Sequence, residues 1–277
     1  MAAAGKGAAL PLSQALVVRF SLRLNPNWCT RAYGDEANRP AWLAHRAGIF
    51  RRTLWQSLIR QTRPVTAVLL LCDEGDAEIL PPLFGFARGR VELIFGRSTT
   101  PYDAARARLE ALPGPLAVSR IDSDDLVATD YFDRVASAVA EARGRGQASG
   151  HVVATDGYRS DLRTIQRLFY PFSPFFTWFG DSYAGANIYG FDHSEGPSTP
   201  SIAIADAHWL QYLHATNVSN IFAPGVASFE MFQSRLDRSG GRIGSWHRPV
   251  ADVWPATFPP LTTILDQSQT DPAMPDL

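Results

Sequence analysis

The sequence is nearly devoid of lysine. Of its 26 lysines and arginines, Lys6 is the one lysine. A mechanism that needs a catalytic lysine is therefore nearly excluded. Arginine suits two-pronged binding of phosphate, although a coding bias produces the same skew. Cysteine is almost as scarce. Cys29 and Cys72 stand far apart, which rules out a disulfide framework or a paired-cysteine zinc or redox site and fits a reducing compartment. Net charge is −1 at pH 7, so no basic footprint argues for nucleic acid. Long apolar runs are missing too. Leu16-Val17-Val18 is cut by Arg19, whereas a membrane span needs about 18 or more apolar residues and a secretory signal a longer apolar core. The expected location is cytoplasmic, with peripheral contact at the inner face of the membrane as an addition. Residues 1–13, rich in Ala and Gly, are expected to be a disordered leader. The sequon Asn217-Val218-Ser219 is then without consequence. Phosphate-binding Gly-rich loops, His-Glu-x-x-His and Gly-x-Ser-x-Gly are all absent.

What is present is ample core material: 45% of 277 residues are hydrophobic. Ala15–Leu22, Thr66–Cys72, Val91–Phe95 and Leu116–Ile121 read as strands, the second so densely apolar that it suggests a buried parallel strand. Between them, Pro40–Arg60 and Asp103–Leu112 have helical spacing. Thr129 is a plausible cap for a helix striped by Phe132, Val135, Val139 and Ala142, ending at Gly144-Arg145-Gly146. This alternation predicts an α/β fold with a mixed, mostly parallel central sheet flanked by helices. Beyond it, strands are expected at His151–Tyr158, Thr164–Tyr170 and Gly185–Phe191, and a helix at Ala203–Ala215. A weakly patterned, Pro-rich tail follows from Arg248. A seam near residue 145 divides a nucleotide-binding half, 14–145, from an acceptor-binding half, 146–277, of one domain.

The chemistry concentrates at Asp122-Ser123-Asp124-Asp125, directly after an apolar strand. Ligands of doubly wound sheets sit outside the carboxyl ends of the strands. Two carboxylates two residues apart can share a hard cation such as Mn²⁺ or Mg²⁺, whose shell a substrate diphosphate completes. The metal would then stabilise charge on a departing nucleoside diphosphate. The opposing reading is a solvated acidic turn at the start of a helix. A haloacid-dehalogenase-type phosphatase fits less well, because Leu126 occupies the fifth position and no lysine follows. The Leu126-Val127 pair also breaks an EF-hand loop.

Several stretches together resemble the rhamnosyltransferase family. They are Val18-Arg19-Phe20-Ser21, then Trp42-Leu43 through Arg46 to Phe50, and Gln56-Ser57-Leu58 to Gln61-Thr62. Arg120 to Asp125 with Asp130-Tyr131 is similar to that family's central motif, and Trp209-Leu210-Gln211 to His214 with Asn217 and Asn220 to its late helix. Leu54-Trp55-Gln56 departs from the Leu-Pro-like turn expected there. The resemblance implies a GT-A-like nucleotide-diphospho-sugar transferase fold, a nucleotide-sugar donor, a divalent metal, and a metal-ligand role for His214 beside Asp122 and Asp124. A histidine favoured at a helix end is the alternative for His214.

Other residues have two readings each. Asp206 is a candidate catalytic base or a helix cap, and Asp192 and Glu195 are alternative bases. Asp125 would orient the metal or the sugar. Arg19, Asp73 and Arg120 would bind the donor, or be strand-end charges facing water. His193 and His208 read as surface or satisfied histidines. The aromatic run from Phe169 to Phe179 would be core, or an acceptor or membrane contact. The resulting expectation is a metal-dependent glycosyltransferase moving rhamnose or another hexose to a glycan or lipid-linked acceptor. Its rivals are a non-catalytic nucleotide- or carbohydrate-binding module and a metal-dependent nucleotidyltransferase.

Overall fold

The computed structural model describes residues 11–183, 186–190, 201–206, 208–214, 233–234 and 236–266. The expectations for residues 1–10, Gly185, Phe191, Asp192, His193, Glu195, the sequon at Asn217 and Asn220 lie outside the described residues.

The strands are β1 (Ser13–Arg19), β2 (Ala67–Asp73), β3 (Glu92–Gly96), β4 (Leu116–Arg120), β5 (Leu126–Val127), β6 (Gly150–Ala154), β7 (Asp156–Ser160), β8 (Ile165–Phe169), β9 (Phe176–Gly180), β10 (Ser201–Ile204), β11 (Trp209–Tyr212) and β12 (Arg242–His247). The helices are α1 (Pro26–Tyr33), α2 (Arg39–Arg52), α3 (Leu54–Ile59), α4 (Leu80–Leu83), α5 (Thr100–Glu110) and α6 (Tyr131–Gly144), with a last short helix at Leu261–Asp266.

The fold is mixed α/β with a mostly parallel central sheet of seven strands, ordered β10-β6-β9-β4-β1-β2-β3. Only β9 runs against its neighbours. The apolar runs of β1 and β2 follow from burial on both faces. Leu16, Val18 and Leu70 pack with Phe50, Phe132 and Val135 on one side. Ala15, Val17, Leu69 and Leu71 pack with Ala105 and Leu109 on the other. The chain winds outward from β1 through β2 to β3, then returns to the opposite side of β1 as β4. A crevice therefore opens at the carboxyl ends of β1 and β4, where the winding reverses.

A second sheet, β12-β8-β7-β11-β5, is stitched to the first. The chain crosses from one to the other at the acidic loop between β4 and β5, at Thr155 between β6 and β7, and between β10 and β11. Thr155 serves both: its N–H donates to the Ile204 carbonyl at 3.0 Å, and its carbonyl accepts from the Tyr170 N–H at 2.7 Å. The run expected as one strand at 151–158 is consequently two strands in different sheets.

Several further expectations are corrected. The segment 203–215, expected as a helix, carries β10 and β11 instead. Trp209 and Leu210 are both fully buried, one against each core, so the apolar spacing reflects a strand covered on both faces. Trp209 stacks on Phe175 at 4.6 Å, and its Nε1 donates to the Ala154 carbonyl at 2.9 Å. Residues 186–190, expected as part of a strand, form a turn. There Asn187 Oδ1 accepts the Tyr189 N–H at 3.0 Å and the Asn187 carbonyl accepts the Gly190 N–H at 3.0 Å. The aromatic run is core: Tyr170, Phe175, Phe176 and Phe179 are buried, three of these four in or next to β9. Asp130, not Thr129, holds the cap position of α6. The helix expected over 40–60 breaks at Thr53, whose hydroxyl donates to the Ile49 carbonyl at 2.8 Å. Ser13, assigned to the leader, is buried and begins β1.

Candidate functional site

Three strand ends converge on the crevice. Arg19 closes β1, Asp73 closes β2, and Arg120 closes β4 one residue before the acidic loop begins at Ile121. Parallel register puts Val17 beside Arg120 and Arg19 beside Leu71, so all three lie at one edge of the sheet.

On the β1 side, Tyr189 joins the two arginines. Its ring lies 4.5 Å from the Arg19 guanidinium carbon and 5.1 Å from that of Arg120. Its hydroxyl donates to the Val17 carbonyl at 2.9 Å. Arg120 is buried, with Nε donating to the Pro174 carbonyl at 3.2 Å and Nη1 to the Ile188 carbonyl at 3.4 Å. Burial opposes the charge on Arg19, but Tyr189, Asp122 and Tyr102 outweigh it, and its pKa is raised. Arg120 thus ties down the turn that carries Tyr189.

On the other side, β5 and β11 hold the acidic loop. Val127 pairs with Trp209 and Leu126 with Leu210. The backbone N–H of Tyr212 continues that ladder as a bond of 3.1 Å to Asp125 Oδ1. His214, two residues on, places Nε2 at 2.9 Å from Asp124 Oδ2. It follows a strand, so the helix-end alternative for this histidine does not apply.

Helix α2 supplies a residue to which the sequence reading gave a place in the resemblance but no role. Arg46 donates from Nη2 to Ser123 Oγ, and its Nη1 is 3.8 Å from Asp124 Oδ2. Its guanidinium also lies 5.6 Å from the Trp42 ring. The available signal was a charge set among Trp42, Leu43, Ala47 and Phe50 on one helix.

The carboxylates differ sharply. Asp122 is half-buried, while Asp124 and Asp125 are buried. Burial disfavours ionisation of Asp124, but the Arg46 charge and the His214 hydrogen bond prevail and hold it at about 2. Asp125 goes the other way. Burial, then Asp124 and Asp122, push it well above the usual carboxylate range.

Two sequence candidates have partners outside the acidic loop. Asp73 Oδ1 accepts from the Gly75 N–H at 3.0 Å and from Arg23 Nε at 3.3 Å. Asp206 lies in the bend between β10 and β11, not at a helix start, and pairs with Arg134 Nη1 at 2.7 Å on α6. The structure does not bring it into contact with the acidic loop. His208 uses its carbonyl to accept the Ala128 N–H at 3.0 Å, and its ring meets that of Tyr158.

Asp122, Asp124 and His214 are the side chains here that could offer oxygen and nitrogen to a cation, but Asp124 Oδ2 and His214 Nε2, 2.9 Å apart, are hydrogen-bonded to each other. Among the described residues, no group of three His, Cys, Asp or Glu side chains is poised around a single ion. The rest of a shell would come from water and phosphate oxygens. A separate cavity of about 510 Å³, lined by Trp55, Leu58, Ile59, Val68 and Arg90 among others, opens at the amino ends of β2 and β3, away from these groups.

No protein-family profile and no curated relative matches the sequence. Solved structures are similar at low identity. Staphylococcus aureus TarS matches at 14% identity and TM-score 0.31, over 52% of this chain and 22% of that one. TarS 1-349 in complex with UDP matches at 16% and 0.30, over 52% and 36%. HddC from Yersinia pseudotuberculosis matches at 11% and 0.39, over 71% and 92%. This chain therefore spans about a fifth to about a third of the TarS structures' length.

Proposed function

We propose that the chain is a GT-A-type glycosyltransferase that takes a hexosyl group from a nucleotide-sugar to a glycan or lipid-linked glycan. One observation carries the reading. The Asp122–Asp125 loop leaves β4 at the point where the sheet reverses its winding, with Arg19 closing the neighbouring strand β1.

Asp124 and His214 would hold Mn²⁺ or Mg²⁺ with water and phosphate oxygens completing the shell, and Asp122, which forms no three-ligand group with them among the described residues, would join only with the donor bound. When bound, the metal neutralises charge on the departing nucleoside diphosphate. Arg19, stacked on Tyr189, faces the same crevice and would take phosphate oxygens in its two-pronged grip. Asp73 keeps Oδ2 for a ribose hydroxyl, since its described hydrogen bonds use Oδ1. Asp125, fastened by the Tyr212 N–H, fixes the loop against β11 and orients the metal or the sugar. No helix among the described residues is long and apolar enough to cross a membrane.

A thermal-shift panel of nucleoside diphosphates and nucleotide-sugars, with and without Mn²⁺, tests this. Ligands that bind only the folded state raise the melting temperature by mass action. The expected outcome is a metal-dependent rise with one nucleotide class, release of the nucleoside diphosphate on turnover, and loss of both in Asp124→Ala. Release of pyrophosphate from a nucleoside triphosphate would assign the site to a nucleotidyltransferase. Binding without turnover toward any acceptor or water would reduce it to a binding module.

A further inference from the structure

The cavity of about 510 Å³ at the amino ends of β2 and β3 has the size of a ligand pocket, and the donor site uses none of it. Trp55, Leu58 and Ile59 of α3, with Val65 and Val68 around the start of β2, give it apolar walls. Ile59 is 42% exposed. The rim is cationic. Arg90 lines the cavity, Arg88 is exposed two residues before it, and Arg60 follows Ile59. Arg51 covers Phe86 at 5.4 Å, and the Phe86 ring meets that of Trp55 at 5.7 Å. Among the described residues none of these four arginines is in an ion pair. The sequence supplies no carboxylate to balance them. Glu36 and Asp73 bound a stretch with six arginines and no acidic residue, and Glu78 and Glu92 bound another with two. Asp133 and Glu92, which approach this rim, are already paired with Arg63 and Arg108. An apolar recess ringed by such guanidinium groups is complementary to an amphiphile with an anionic head. Arginine grips phosphate with two prongs, and apolar insertion with basic attraction are the two signals that together hold a protein at a membrane surface. A nucleic acid has the charge but no chain to fill the recess.

We propose that this end of the molecule docks on an anionic phospholipid bilayer. The arginines meet the headgroup phosphates, Ile59 enters the apolar layer, and one acyl chain occupies the cavity beside Trp55. The crevice lies at the other end of the sheet, the length of β2 away, about 20 Å for seven residues. The docked lipid is therefore not the acceptor, and docking leaves the crevice open to a donor in water. The contact is independent of the metal and of the reading of the acidic loop.

The test is co-sedimentation of the full chain with phosphatidylcholine vesicles, with and without phosphatidylglycerol, and melting curves to verify folding. Binding is expected to be about ten-fold or more tighter with phosphatidylglycerol present, and to weaken as salt screens the charges. Arg90→Gln and Arg88→Gln are each expected to weaken it by about five-fold, the effect of one basic side chain at such a surface. Arg97→Gln, just past the other end of β3, is expected to change it little. Ile59→Asp, at an exposed position, is expected to weaken it by about ten-fold or more. Vesicles with brominated acyl chains are expected to quench tryptophan emission, and Trp55→Phe to remove most of that quenching while still binding. Equal binding to both kinds of vesicle, equal losses in Arg97→Gln and Arg90→Gln, or quenching unaltered in Trp55→Phe overturns the inference. So does binding of dispersed dihexanoyl phosphatidylglycerol with none to vesicles, which would assign the cavity to a soluble amphiphile. Nucleotide-dependent melting shifts are expected to be the same in Arg90→Gln as in the wild type, so this inference and the donor-site reading can each fail alone.

Discussion

The backbone N–H of Tyr212 donates to Oδ1 of Asp125 across 3.1 Å, where the pairing of β5 with β11 has already ended. A side chain here takes the place of a strand residue's carbonyl. The bond fastens the acidic loop to the second sheet and commits the Asp125 carboxyl to a buried position beside two other aspartates.

That commitment has a pH signature. A carboxyl raised above its unfolded value supports folding while it is protonated, and the support is lost as pH rises through the folded value. In metal-free protein, Asp125→Asn is therefore expected to melt above the wild type at pH 7, by about 2–4 °C. The gap should close as pH falls toward about 4, the ordinary carboxylate value. Melting curves in chelator from pH 4 to pH 8 measure it. A variant less stable than the wild type throughout would mean that the hydrogen bond outweighs the buried charge.

Gly157 lies against Trp209 so closely that an added Cβ would come within 2.2 Å of the indole. Gly157→Ala is expected to cost about 1–3 kcal/mol of stability, as overpacking of a filled core does. Because Trp209 opens β11, the same change should displace His214 from Asp124. Urea unfolding gives the first effect, and a weaker metal-dependent nucleotide shift the second. An unaltered unfolding midpoint would show that β11 can move aside freely.

Tyr189 tests the arginine pair. Tyr189→Phe removes the bond to the Val17 carbonyl but keeps the ring between Arg19 and Arg120. Tyr189→Leu removes both. Cation–π contacts contribute about 0.5–2 kcal/mol each, so nucleoside diphosphate affinity is expected to fall by about ten-fold or more in the Leu variant and much less in the Phe variant. Calorimetric titration separates them. Equal losses would assign the effect to the hydroxyl.

The parallel half of the fold was readable because β1, β2 and β4 are short apolar runs that end in charge, and a strand buried on both faces has no other pattern to show. The same property hid β11. Trp209 and Leu210 enter different cores, so the alternation that marks a strand is lost and a helical spacing remains by accident. Thr155 gives no local sign of a change of sheet, since its two backbone bonds go to Ile204 and Tyr170, distant in sequence. In the site, the aspartates declared themselves by adjacency along the chain. Arg46, Tyr189 and Tyr212 reach them only through packing between α2, the turn at 186–190 and β11, which no spacing encodes. Asp206 showed the reverse: its place ahead of an apolar stretch suggested a helix start, while its partner Arg134 comes from α6.

The loop from Ile121 to Asp125 leaves the last residue of β4 in one sheet and enters the first residue of β5 in the other. Its carboxylates thus ride on a rivet between two plates, with Leu126 transmitting any shear directly. Any displacement of one sheet against the other along this connection must be absorbed within the five residues that carry the carboxylates.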